Sequence, residues 1–213
     1  ETLGLEDYEA FLHEPATAER FDNLVAYDGK DPVGIGKSLA TFSAFAEGVS
    51  LYSAFAVLYS FQMRNLLKGV GQQMKWSVRD ESLHSKMGCQ LFRHMCSQIP
   101  GLKEECKEHV YDAALTMHNA EMTYISKLFE MGDIEGITEY DLKHFIKKRT
   151  GDKIKELGYK AEGKFKFEYD QKSIDKMAWF DHLTGGHTHT DFFAIRPTDY
   201  SKANEGEDFE DVW

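Results

Sequence analysis

The run Arg79-Asp80-Glu81-Ser82-Leu83-His84 holds the residue types best suited to chemistry in this 213-residue chain. Glu81 and His84 stand three apart. On a helix they share one face and offer a carboxylate oxygen and an imidazole nitrogen to a single transition-metal ion. Glu-x-x-His alone is a weak signal, because the pair also occurs by chance on solvated helices. Its neighbours strengthen it: Trp76, Leu83, Met87 and Leu91 flank the pair at helical spacing. A bare carboxylate on so apolar a face is costly unless it is paired or ligates a cation.

Glu47 supplies a third donor. It is the only charged residue between Lys37 and Arg64, set among Phe45, Ala46, Val49 and Leu51. A salt bridge to Arg64 along the same helix is too long, at about 1.5 Å per residue. If two antiparallel helices meet between Asn65 and Gly71, Glu47 comes near the level of Glu81 and His84. The midpoint of Glu47 and Glu81 falls at Arg64, short of the glycines, so helix tilt or a local bulge must absorb the difference. The expected result is three side chains converging in a water-poor cleft, with Leu51 and Phe55 as a dry wall. One Glu on one helix and Glu-x-x-His on its neighbour make half of the dimetal site of carboxylate-bridged helical bundles. No second Glu-x-x-His occurs in the chain.

Four prolines and long segments without strand alternation predict an all-α protein. Helices are expected over Leu5 to His13 and from Ala16 to Gly29, with a break at 31–36. A buried helix, apolar nearly all round, follows from Lys37 to Lys68. Gly69 and Gly71 punctuate the chain before a helix from Gln72 to Ser97, which Pro100-Gly101 stops. Further helices are expected from Lys103 to Met131 and from Asp141 to Leu157, the latter capped by Thr138 and closed by Gly158. Lys164 to Tyr169 alternates like a short strand, and a loop follows Trp179. The last eleven residues carry five acids and end in Trp213.

Composition narrows the function classes. Hydrophobic residues make up 42% of the chain, enough for a core and against wholesale disorder. A formal charge of −11 disfavours nucleic acid and anionic membranes as partners. No uninterrupted apolar run reaches the roughly 18 residues of a spanning helix, and no secretion signal is visible. Cys89, Cys96 and Cys106 form no CxxC motif, which suits a reducing cytosol. Cys89 and Cys96, seven apart, read as core residues. Asp181, His182, His187, His189 and Asp191 read as a polar loop rather than a metal site. Arg79 and Asp80 fit either a surface ion pair or part of the site.

Phe45-Ala46-Glu47, Tyr52, Phe61 and Trp76-Ser77-Val78-Arg79-Asp80-Glu81-Ser82-Leu83-His84 together resemble the small, radical-generating subunit of class I ribonucleotide reductase. The likeness continues through Asp112 to Gly132, Lys148-Arg149, Leu157-Gly158-Tyr159, Asp191-Phe192-Phe193, Arg196 and Thr198-Asp199-Tyr200-Ser201-Lys202. It implies a ferritin-like helical bundle over 1–190, incomplete at its N-terminal side, and an acidic tail over 191–213. It implies Glu47, Glu81 and His84 as ligands of one metal of a pair. The pair is two irons or manganese with iron, and it uses dioxygen to make a radical. Asp80 is implied as an acid that orients a histidine ligand and joins the radical route, and Tyr200 as the tail residue that relays the radical between subunits. Partners are implied to be the large subunit, docked through a tail containing Phe209 and Trp213, and a second small subunit. The chain resembles the family's C-terminal portion, starting just after its first Glu-x-x-His, and is expected not to build the complete centre by itself. Two other readings stand beside this one: a ferritin-like iron oxidase or store, and a metal-free partner protein.

Overall fold

The computed structural model describes residues 30–130 and 132–184, together with His13. The helices expected over Leu5–His13 and Ala16–Gly29, the histidine loop from His187 to Asp191 and the tail with Tyr200 fall outside the described residues, apart from His13 itself; Asp181 and His182, expected in that loop, are helical instead. Among the described residues no strand occurs. The helices are α1 (Pro32–Ala40), a π-helical segment (Thr41–Ser50), α2 (Tyr52–Met63), α3 (Lys68–Gln98), α4 (Leu102–Leu128), α5 (Glu139–Glu156) and α6 (Gln171–Thr184).

Asp31-Pro32 begins a helix instead of breaking one. The Asp31 carboxylate accepts from the Gly34 amide at 2.7 Å, and proline at the first helical position lacks only an amide hydrogen that would have had no partner. The chain then stays helical to Met63. By length and composition this 32-residue stretch is apolar enough to cross a membrane, which corrects the sequence expectation of no such segment. Its most apolar window is 61% buried in the protein, the condition of a bundle's central helix. Phe45, Val49, Tyr52, Ala56 and Tyr59 form its buried side.

The reversal into α3 comes earlier than the glycines suggested. Asn65 and Leu67 take left-handed backbone conformations, with φ of 65° and 46°, and α3 starts at Lys68. Gly71 lies in its first turns, where a Cβ would collide with the Gln62 side chain. The antiparallel register runs from this contact through Gly48 against Ser85 to Ser43 against Gly88. Small residues at those crossings let the two helices approach closely.

Thr138 caps α5 as expected: its hydroxyl accepts from the Asp141 amide at 3.0 Å and donates to the Asp141 carboxylate at 2.7 Å. Gly158, at φ 89°, closes the helix, with the Tyr159 amide donating to the Ile154 carbonyl. The alternating segment from Lys164 is not a strand; Gly163–Phe165 forms a 3-10 turn, and Phe165 stacks on Tyr111 with ring centroids 4.4 Å apart. No loop follows Trp179 directly: α6 continues to Thr184 and buries Ser173, Met177 and Phe180 along one stripe. Cys89 and Cys106 are buried free thiols that burial raises to about 11, and Cys96 is a half-buried free thiol.

Asp141 ties α5 to α6. It is buried, yet its carboxylate accepts from Ser173 at 2.6 Å and from Lys176 at 3.2 Å as well as from Thr138. Burial pushes its pKa up, and these donors together outweigh it and hold the group below its ordinary value. A carboxylate with a depressed folded-state pKa stabilises the protein above the unfolded pKa, and this stabilisation is lost as pH falls through the folded value. Asp141→Asn is therefore expected to cost about 2 kcal/mol near neutral pH and to flatten the acid limb of stability. Urea unfolding followed by circular dichroism at pH 7 and at pH 3 to 4 measures both effects.

Candidate metal centre

Glu47 stands in the π-helical segment, facing α3. A π turn holds more residues than an α turn, which supplies the local bulge needed to bring Glu47 level with the α3 motif. Donor atoms of Glu47, Glu81 and His84 all lie within 4.8 Å of one another. His84 Nδ1 is 4.0 Å from a Glu47 oxygen and 3.7 Å from a Glu81 oxygen. Two donors each about 2.1 Å from one ion can be at most about 4.2 Å apart, so both pairs fit a shared ion without rearrangement. Two carboxylates and one imidazole are a donor set for iron or manganese. Among the described residues no other such group of His, Cys, Asp or Glu side chains converges.

The electrostatics express the crowding. Burial raises the Glu47 pKa, the facing Glu81 carboxylate raises it further, and His84 pulls it back only in part. A cation at the site would relieve both upward pressures. Arg64, the alternative partner for Glu47, instead pairs with Glu135 at 3.5 Å and lies over the Phe61 ring.

The cleft is less sheltered than the sequence suggested. The His84 side chain is 57% exposed, Glu47 32% and Glu81 25%. Leu83, Met87 and Leu91 are exposed rather than packed, and Leu51, assigned to the dry wall, is 37% exposed. Asp80 is exposed beside the site. The apolar flank of the motif therefore faces outward; helical spacing marks an apolar side but does not say whether anything covers it.

Sequence reasoning matched Arg149 only within a motif; the structure gives it a contact role. Its guanidinium sits 3.3 Å from the Tyr52 ring centroid and its Nε donates to the Gly48 carbonyl at 3.2 Å. Tyr52 is in turn hydrogen-bonded to Ser82 at 2.7 Å. One cation on α5 thus touches the backbone beside Glu47 and, through Tyr52, the turn that carries Glu81. Glu121, wholly buried on α4, was also missed; Ser53 donates to it at 2.5 Å. Nothing in its sequence neighbourhood marks it, because the burial of α4 is decided by packing.

Residues 5–164 match the sequence profile of the family described as "Ribonucleotide reductase, small chain". This chain belongs to that family. It is 31% identical over 179 residues to a protein of Invertebrate iridescent virus 3 named as a probable ribonucleoside-diphosphate reductase small subunit, covering 80% of this chain and 44% of that one. The protein of the same description from Invertebrate iridescent virus 6 is 28% identical over 214 residues, covering 90% and 58%. A solved structure from Bacillus halodurans, assigned to class I ribonucleotide reductase, superposes with a TM-score of 0.72 at 20% identity, over 84% of this chain and 63% of that one. The fold is the all-α, ferritin-like bundle of that family. The chain spans about half the length of the curated relatives it matches.

The close contact at Gly48 gives a direct check. A Cβ there would lie 2.6 Å from Lys153 Cε and 2.7 Å from Ser85 Oγ. Gly48→Ala is expected to destabilise the fold by about 1–3 kcal/mol by forcing the π-helical segment off α3. Tyr52→Phe, which keeps the ring and loses the hydroxyl bonded to Ser82, is expected to cost about 1 kcal/mol. Thermal unfolding of both variants beside the wild type tests that order.

Proposed function

We propose that this chain serves as the small-subunit component of a ribonucleoside-diphosphate reductase, with Glu47, Glu81 and His84 as ligands of its metal centre. The observation that carries this reading is the convergence of those three donors on two packed helices, within the segment that matches the family. When bound, a pair of iron ions, or manganese with iron, supplies together with dioxygen the one-electron oxidising power from which the family draws its radical.

The chain's own residues hold and surround that centre. Glu47 and Glu81 offer oxygens and His84 a nitrogen, while the Arg149–Tyr52–Ser82 contacts keep the two ligand-bearing helices in register. Asp80, exposed next to Glu81, is assigned to orienting a histidine ligand and to the radical route. Tyr200 is assigned to relaying the radical towards a large subunit, and the acidic segment with Phe209 and Trp213 to docking there. The role proposed for the product is the supply of deoxyribonucleotides, in a reducing cytoplasm that keeps the three thiols free. The expected domain division, a helical body over 1–190 and a docking tail over 191–213, belongs to the same proposal.

Two measurements test the reading. His84→Ala and Glu81→Gln are each expected to weaken Mn(II) binding at least about 10-fold while leaving the far-ultraviolet circular dichroism unchanged. Unaltered affinity in both variants would remove the ligand assignment. Deletion of residues 201–213 is expected to abolish binding to the large subunit and to spare ion binding; a tail-less chain that still binds the large subunit contradicts the docking role.

A further inference from the structure

Tyr52 joins the candidate centre to the packed interior. It lies five residues past Glu47, within about 8 Å along the helix axis. Its hydroxyl is hydrogen-bonded at 2.7 Å to Ser82, the residue next to Glu81. Its buried ring continues into a chain of aromatic side chains. Phe180 sits edge-on to Tyr52 at 6.0 Å and to Tyr59 at 6.4 Å, and Tyr59 meets the half-buried Trp179 at 6.4 Å between ring centroids. Rings this close exchange electrons readily, and tyrosine and tryptophan are among the side chains easiest to oxidise. The chain of rings leads into α6, whereas the route assigned above leaves through Asp80 on α3.

Resting on the metal-centre reading above, we propose that Arg149 insulates these rings: it keeps the oxidising equivalent of the centre from entering them at Tyr52. Oxidation of Tyr52 takes an electron from its ring and a proton from its hydroxyl. Arg149 opposes the first loss. Its guanidinium carbon lies 3.3 Å from the ring centroid, and the attraction between that cation and the ring's electrons is weakened when one of them leaves. Ser82 opposes the second, because a serine hydroxyl is no base.

Arg149 also lines a cavity of about 220 Å³ between α5 and α6, together with Phe145, Met177, Asp152 and Asp181. Water or a carboxylate there is able to take a phenolic proton. Tyr52, 1% exposed, is not part of the cavity wall, and Arg149 touches both the wall and the ring face. Lys148 and Lys153, in the same wall, are paired with Asp152 and Glu156. Arg149 has its charge turned to the Tyr52 and Phe145 rings instead. The guanidinium is thus a plug against proton acceptors as well as a charge against electron loss.

The test uses the chain with one equivalent of Fe(II), a pulse of hydrogen peroxide and peptide mass spectrometry. Reducing one peroxide to two waters takes two electrons and two protons. Fe(II) gives one electron, and the oxidised side chain gives the other with one proton; the second proton comes from water. In the wild type, oxidation is expected at His84 and Met87 and is expected to spare Tyr52, Tyr59 and Trp179. Tyr52 oxidised there as fully as Met87 overturns the proposal, whether or not any variant folds. Arg149→Met is expected to raise oxidation of Tyr52, Tyr59 and Trp179 about 10-fold. Adding Tyr52→Phe is expected to return Tyr59 and Trp179 to the wild-type level. A merely loosened core would leave Trp179 oxidised in that double variant. That result, or an Arg149→Met pattern equal to the wild type, overturns the insulating role and leaves the metal centre standing. So does an equal rise in Arg149→Met treated with peroxide but no iron. No Fe(II) binding to the wild type removes the metal-centre reading itself, and this inference with it.

Discussion

A carboxylate on an apolar helix must be compensated, and much of this fold is arranged around compensating one. Glu47 interrupts the most hydrophobic helix of the chain, where an unpaired charge would cost several kcal/mol. Its compensation is a neighbouring helix that presents Glu81 and His84 at the same level. Burial first, and the facing Glu81 carboxylate second, raise the Glu47 pKa above that of an ordinary glutamate. The arrangement is tense without a cation and suited to one with a cation present.

Bringing the donors together requires two departures from regular packing. The first is the π-helical stretch, which places Glu47 opposite His84 across the reversal at Arg64–Leu67. The second is close helix approach at Gly48 and Gly88, where Ser85 and Ser43 occupy the space of the missing side chains. Arg149 locks both: it holds the Gly48 carbonyl and the face of Tyr52, and Tyr52 reaches Ser82 on the opposite helix. A lysine could not satisfy this geometry, because only the planar guanidinium can lie over a ring and donate from Nε at once.

The two sides of the helix pair that carries Glu47, Glu81 and His84 differ. The side turned towards α4, α5 and α6 is packed, with Phe45, Tyr52, Ala56 and Tyr59 buried and Phe180 set edge-on to Tyr52 and Tyr59. Stability resides there and in the capped junction at Asp141. The other side keeps Leu83, Met87 and Leu91 exposed, and the tips of Glu47, Glu81 and His84 partly so. Rigidity behind Glu47, Glu81 and His84 lets the scaffold hold their geometry.

By itself the amino-acid sequence determined the helical class, the α5 boundaries at Thr138 and Gly158, and the three donors. These are local matters: capping chemistry, the three-residue spacing of Glu81 and His84, and the isolation of one charge in an apolar run. It also required a bulge or tilt near Glu47, because the midpoint of Glu47 and Glu81 did not fall on the glycines. Only the tertiary structure decided where that bulge lay, that the chain reverses at Asn65 and Leu67, and that Asp31-Pro32 opens a helix. It alone revealed Arg149 and Glu121 as interior contacts, and it turned Leu83, Met87 and Leu91 outward. Periodicity reports that a face is apolar. Whether that face meets protein or solvent depends on elements far away in the chain, and no local pattern encodes their positions.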